Sequence, residues 1–173
     1  KRQRRVDVTD KERAVTEMAF LDATRMLRLE VQTAFVNVLL ARENLALAQQ
    51  NLAAFNQIVE VNSARVKAGD LAEVELVRSR VAALQYANSV RRAELALRSA
   101  GTRLNALLGR KPGSPAAEPA GGLKKEAVVL SLKELQETAL SARPDLRAGR
   151  LNIERAAAEV RLQLAQAKQD YTV

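Results

Sequence analysis

From Leu27 onward the apolar residues recur in steps that alternate between four and three. Leu27, Val31, Ala34, Val38, Ala41, Leu45, Ala48, Leu52, Phe55 and Val59 form one unbroken run. A second run has the same alternation: Ala72, Leu76, Ser79, Ala83, Tyr86, Val90, Ala93, Leu97, Ala100, Leu104 and Leu107. A period of 3.5 residues keeps one seam of a helix turned toward a partner and imposes a left-handed supercoil. The first run has a companion stripe offset by one residue, through Met26, Leu40, Leu47, Ala54 and Val61. One seam needs one partner, whereas a broadened apolar face meets a neighbour on each side.

Pro and Gly punctuate the pattern. Neither occurs from Asp10 to Lys67, which predicts a first helix over 10–67 with Thr9 or Asp10 as its N-cap. Lys67-Ala68-Gly69-Asp70 reads as a short turn. A second helix is expected from Leu71 to Leu108, interrupted only by Gly101 and closed by Gly109, with Pro112 beyond. At 1.5 Å per residue the two helices would be roughly 80 and 55 Å long. Joined by so short a turn, they must run antiparallel. Residues 110–123 are dense in Pro and Gly and read as an irregular connector, with a short strand at 127–130. Ser131 and Glu134 have capping-box spacing for a helix to about Ser141. Pro144 opens a last helix to about Lys168, and 170–173 is strand-like in composition. The expected organisation is a long hairpin at 1–109 with its turn at 67–70, a connector at 110–130, and a short helix followed by a longer one at 131–173. The fold class is all-α.

Composition narrows the function. Hydrophobic residues make up 47% of the chain but aromatic residues only 3%, with no Trp. The apolar content is Ala, Leu and Val, which suits helices in close contact rather than an aromatic-filled core. There is no Cys and no His, which excludes disulfides, thiolate or imidazole metal sites, and Cys–His or Ser–His catalysis. No phosphate-binding loop or paired carboxylates stand out, and Glu154 and Glu159 read as surface helix charges. An enzyme is not expected, nor a cofactor. No apolar run is long enough for a transmembrane helix, and the basic start lacks the apolar stretch of a signal peptide. The chain reads as a piece of something longer. Half of its net charge of +8 sits on Lys1, Arg2, Arg4 and Arg5. Such a cluster binds nucleic acid or anionic lipid, or is simply a solvated end.

Four segments, in this order, carry a family resemblance. They are Ala41-Arg42-Glu43-Asn44-Leu45-Ala46-Leu47-Ala48-Gln49-Gln50-Asn51-Leu52; Arg65-Val66-Lys67-Ala68-Gly69 with Glu75, Ser79 and Leu84; Leu104-Asn105-Ala106-Leu107-Leu108-Gly109; and Ala139-Leu140 with Arg143-Pro144-Asp145-Leu146. Together they resemble the first repeat of the TolC-type outer-membrane efflux family, in its heavy-metal or cation-efflux branch. Lys1-Arg2-Gln3-Arg4-Arg5 resembles the segment just after the first strand pair in that branch. Two positions depart from the pattern: Glu75 stands where Asp is commoner, and Ser79 where Ala is usual. The family's membrane strands and second hairpin are not in this chain.

The resemblance implies a homotrimer in the full-length protein, with a strand barrel in the outer membrane and a tapered α-barrel tunnel crossing the periplasm. This chain would be part of that tunnel. The tunnel tip would dock a periplasmic adaptor protein, which links it to an inner-membrane pump, and substrates would pass through unchanged. The docking candidates are the turn and the charges around it: Arg65, Lys67, Gly69, Asp70, Glu73 and Glu75. Glu75 also matches an acid that, in the family, holds the tunnel entrance closed by pairing with a basic residue of the second repeat. The plain alternative for these residues is a solvated loop with an ordinary turn glycine. A competing function is a basic coiled-coil adaptor that binds nucleic acid through residues 1–5. The basic residues form no stripe interleaved with aromatics, so no specific nucleic-acid binding is expected.

Overall fold

The computed structural model describes residues 1–117, 119–123, 126 and 131–167. Among them the regular structure is entirely helical: α1 (Arg2–Lys67), α2 (Glu73–Leu107), α3 (Leu132–Ala142) and α4 (Pro144–Gln166). The strands expected at 127–130 and 170–173 lie outside the described residues. The chain divides into two compact units, Leu29–Lys125 and Lys1–Arg28 with Glu126–Val173.

In the unit Leu29–Lys125, α1 and α2 form an antiparallel hairpin. The Phe55 and Tyr86 rings stack with centroids 4.1 Å apart, and the Asn62 amide donates to Ser79 Oγ at 3.2 Å nearer the turn. Ala34, Val38 and Leu104 form the buried cluster at the other end, with Val31, Leu97, Ala100 and Leu107 against it. Every position of the first run from Val31 to Val59 is buried or half-buried, and so is every position of the second from Leu76 to Leu107. Two run members depart. Leu27 is 50% exposed, because α2 ends at Leu107, opposite Ala34, and has nothing to lay against it. Ala72 is exposed because it is the N-cap residue of α2. The companion stripe of Met26, Leu40, Leu47, Ala54 and Val61 is exposed throughout. α2 carries a similar exposed set at Val74, Val77, Val81 and Leu84. The hairpin therefore packs mainly through one seam per helix, with Leu39 buried beside it, and leaves a second apolar surface on each helix.

Both long helices end in the same way. The N–H of Asp70 donates to Arg65 O at 2.9 Å and that of Gly69 to Val66 O at 3.0 Å. The N–H of Arg110 donates to Asn105 O at 3.0 Å and that of Gly109 to Ala106 O at 3.1 Å. These are Schellman closures, and each requires a left-handed residue at its glycine. Gly69 has φ +83° and Gly109 φ +67°.

In the unit Lys1–Arg28 with Glu126–Val173, α4 lies antiparallel to the start of α1. Lys11 Nζ meets Glu154 Oε2 at 3.0 Å, and Arg161 meets Asp7 at 3.6 Å. Ala158 and Leu162 are the buried apolar residues of α4. This docking explains why α1 begins at Arg2 rather than near Asp10. Thr9 does not cap a helix; its hydroxyl donates to Arg5 O at 3.0 Å inside one, and α4 supports the extra turns. Pro144, Ala148, Leu151, Arg155, Ala158, Leu162 and Ala165 of α4 are half-buried or buried, again in steps of four and three, and Asp145 and Leu146 in its first turn are half-buried as well. Ser131 is the N-cap residue of α3, but its side chain makes no capping bond, contrary to the capping-box spacing. No residue of α3 is buried. Arg143 then bridges α3 and α4, its guanidinium on the Asp145 carboxylate.

Two outcomes are expected. Val38 is 3% exposed and Leu47 is 55% exposed. Val38→Asp should lower unfolding stability by about 3 kcal/mol or more, whereas Leu47→Asp should cost under about 0.5 kcal/mol in the isolated chain. Urea unfolding followed by circular dichroism measures both. The hydrogen bond from Arg143 lowers the Asp145 carboxyl from 3.8 to about 2. A lowered folded-state value means that this pair's contribution is complete above about pH 4 and is lost as pH falls through about 2. Carboxyl NMR should place the Asp145 midpoint near that lower value, and Arg143→Gln should return it toward 3.8.

Candidate docking tip

The six tip residues read from the sequence fall together where the chain reverses between α1 and α2. Arg65 and Lys67 occupy the last turn of α1, and Glu73 and Glu75 the first turn of α2. Cations at a helix C-terminus and anions at an N-terminus are both favoured by the helix dipole, each by about 0.3–1 kcal/mol. The charges therefore stabilise the two helix ends whatever else they do. Arg65, Lys67, Gly69, Asp70 and Glu73 are exposed, and Glu75 is half-buried. A Cβ on Gly69 would meet nothing within 4 Å, so the glycine answers to backbone conformation and not to crowding.

Glu75 has a partner on its own helix. Its Oε1 receives Arg78 Nη1 at 2.7 Å. The acid that the family resemblance would assign to an entrance clasp is thus held by Arg78, three residues on, and the i,i+3 spacing made that pair legible. Behind it Ser79 performs two tasks. Its hydroxyl bonds back to the carbonyls of Glu75 (3.0 Å) and Leu76 (2.9 Å), and its oxygen accepts from Asn62 across the seam. An Ala at this position would leave Asn62 without that acceptor. A polar pair inside an apolar seam fixes the register of the two helices at the end where the turn must be presented.

The opposite end of the hairpin holds residues to which the sequence assigned no site role. The connector folds back onto α1 and α2. Buried Asn105 donates to Pro115 O at 2.9 Å, and Arg42 donates to the carbonyls of Pro119 (3.3 Å) and Gly121. Gly101 is buried beneath it, and a Cβ there would come within 3.0 Å of Ala116 Cβ. The signals were a helical glycine with no turn nearby and a lone Asn in the Leu-rich end of α2. Among the described residues no group of three Asp or Glu side chains is placed to hold a metal ion, and no helix is long and apolar enough to cross a membrane.

Compared with known proteins, the chain matches no family model, no curated protein and no solved structure. The functional reading therefore stands on the seams, the turn and the unpartnered stripes.

Gly69→Ala should destabilise the turn by about 1–2 kcal/mol, because an alanine at positive φ is strained. Gly149 lies within α4 with open space around it, so Gly149→Ala should instead stabilise by up to about 1 kcal/mol. Thermal unfolding of the two variants distinguishes them by the sign of the shift.

Proposed function

We propose that this chain is a periplasmic tunnel segment of a TolC-type outer-membrane efflux channel, in its heavy-metal or cation-efflux branch. In the full-length homotrimer such hairpins stand side by side as an α-barrel, a passive duct for export. The tip at 65–75 docks a periplasmic adaptor, which couples the duct to an inner-membrane pump. The outer membrane is reached through strands outside this chain. Substrates are conducted and not transformed.

One observation carries the reading. Each long helix packs through one apolar seam and exposes a second, Leu40, Leu47 and Val61 on α1 and Val74, Val77, Val81 and Leu84 on α2. A pair of helices that needed only each other would not keep such stripes in water. A wall of hairpins covers them with neighbouring helices. The turn is where both helices end together, and its mixed charges and fixed backbone suit end-to-end docking.

The test uses the full-length protein in cells, reading export-dependent resistance and abundance in the outer membrane. Arg65→Glu reverses a charge at an exposed tip residue and leaves the seam intact. Gly69→Pro distorts the turn by restricting φ and removing the N–H that bonds Val66 O. Both should reach the membrane at normal levels while resistance falls at least about tenfold, a loss of about 1.4 kcal/mol of docking. Unchanged resistance in both would remove the tip as the docking site.

A further inference from the structure

The two exposed stripes of the hairpin match each other layer by layer. On α1 the stripe runs back from the turn in steps of three and four through Val61, Ile58, Ala54, Asn51, Leu47 and Asn44, and all six are exposed. On α2 it runs forward in the same steps through Val81, Leu84, Asn88, Arg91, Leu95 and Arg98, all exposed as well. Within the hairpin Phe55 lies level with Tyr86, and Asn62 with Ser79. Each member of one stripe therefore lies within one residue, about 1.5 Å, of the level of its counterpart in the other. The two stripes of one hairpin do not meet, because its helices already face each other through the seam.

The side chains match in kind as well as in level. Near the turn Val61 has Val81 as its counterpart, and Ile58 has Leu84. Farther along, Leu47 has Leu95. The polar members coincide too, Asn51 with Arg91 and Asn44 with Arg98. Glu43, next to Asn44, is exposed at the level of Arg98. Among the described residues no hydrogen bond or ion pair engages the side chains of Glu43, Arg91 or Arg98, although Glu94 stands between the two arginines in sequence. Ala54 with Asn88 is the one layer that sets an apolar residue against a polar one. Helices that share a heptad seam meet in such layers, and a polar position within the seam fixes the register.

We propose that the occupant of each stripe is a second copy of this chain, standing beside the first with its turn at the same end, so that α1 of one hairpin packs antiparallel on α2 of the next. Other pairings of two level copies fit worse. α2 on α2 sets Arg91 and Arg98 against their own equivalents, and α1 on α1 leaves the α2 stripe in water. The contact uses different surfaces on the two copies, so each copy can take a neighbour on each stripe. Such a heterologous contact closes into a ring when the rotation per copy allows. The pairing names the helix contact within the wall proposed above; it rests on that reading for its place in a channel and on the two stripes for its occurrence.

The 173-residue chain contains no Cys, so introduced thiols report the pairing directly. A disulfide forms only where two Cα atoms come within about 7 Å. Leu47→Cys and Leu95→Cys alter exposed residues. The two variants are made in separate chains, mixed at up to about 1 mM and oxidised. The mixed disulfide dimer should exceed each same-variant dimer by at least about tenfold, the ratio that one decade in Kd produces. A second measurement reads the charge. Arg98→Glu should weaken association about threefold in sedimentation equilibrium, and Glu43→Arg/Arg98→Glu should restore it. Predominance of the Leu47→Cys homodimer would mean α1 on α1, and predominance of the Leu95→Cys homodimer α2 on α2; either overturns the proposal. So does a statistical mixture of dimers, a loss in Arg98→Glu that the reversed pair does not restore, or absence of association at the highest concentration. These readouts use the chain alone, so their failure is distinct from failure of the resistance assay that tests the tip.

Discussion

The structure depends on one constraint: a helix of 66 residues must find cover for apolar positions that return every three or four residues. No single short element can provide it. α2 covers α1 from Val31 to Val66, and α4 covers its beginning, from Asp7 to Asp22. The covering residues are small or medium in size, with Ala recurring at every second or third position, so the helices approach closely and no large buried side chain is required. The low aromatic content reflects this. Among the described residues one ring pair occurs, Phe55 stacked on Tyr86.

Much of this was legible because periodicity and glycine chemistry are local. Every position of the four–three runs from Val31 to Val59 and from Leu76 to Leu107 is buried or half-buried, and Gly69 and Gly109 marked helix ends where only a left-handed residue closes the carbonyls. The features that escaped were set by contacts distant in sequence. Thr9 has the composition of a cap, but α4 stabilises the turns before it and keeps it inside the helix. The seam of α4 was hidden because it includes Pro144 and Arg155, which do not read as apolar. Asn105 and Gly101 took on meaning only once the connector lay against them. At the tip, all six candidate residues gather at one place, but the partner of Glu75 is its neighbour Arg78, and the polar pair that positions the turn is Asn62 with Ser79.

The two ends of the hairpin are built on different principles. At the turn, the backbone is fixed by glycine and the polar groups point outward, an arrangement that presents a shape. At the other end, Arg42 and Asn105 hold the connector through its carbonyls, while Gly101 leaves room for Ala116. Between them lies a surface whose stripes are exposed among the described residues, the surface that the proposed wall of hairpins would cover.

The hairpin geometry also orders its own assembly. Contacts between α1 and α2 are nested about the turn: Asn62 and Ser79 are 17 residues apart, and the pairs farther from the turn are joined by progressively longer stretches of chain. The entropy lost in closing a loop grows with its length, and short loops close within about 10–100 ns. The polar pair beside the tip is therefore among the least costly cross-helix contacts to form, and each pair it brings together shortens the remaining search for the next. Loop entropy thus predicts folding that runs like a zipper from the turn toward the connector, with register decided at the first tooth. A slip there, by one heptad, would be copied along the whole seam.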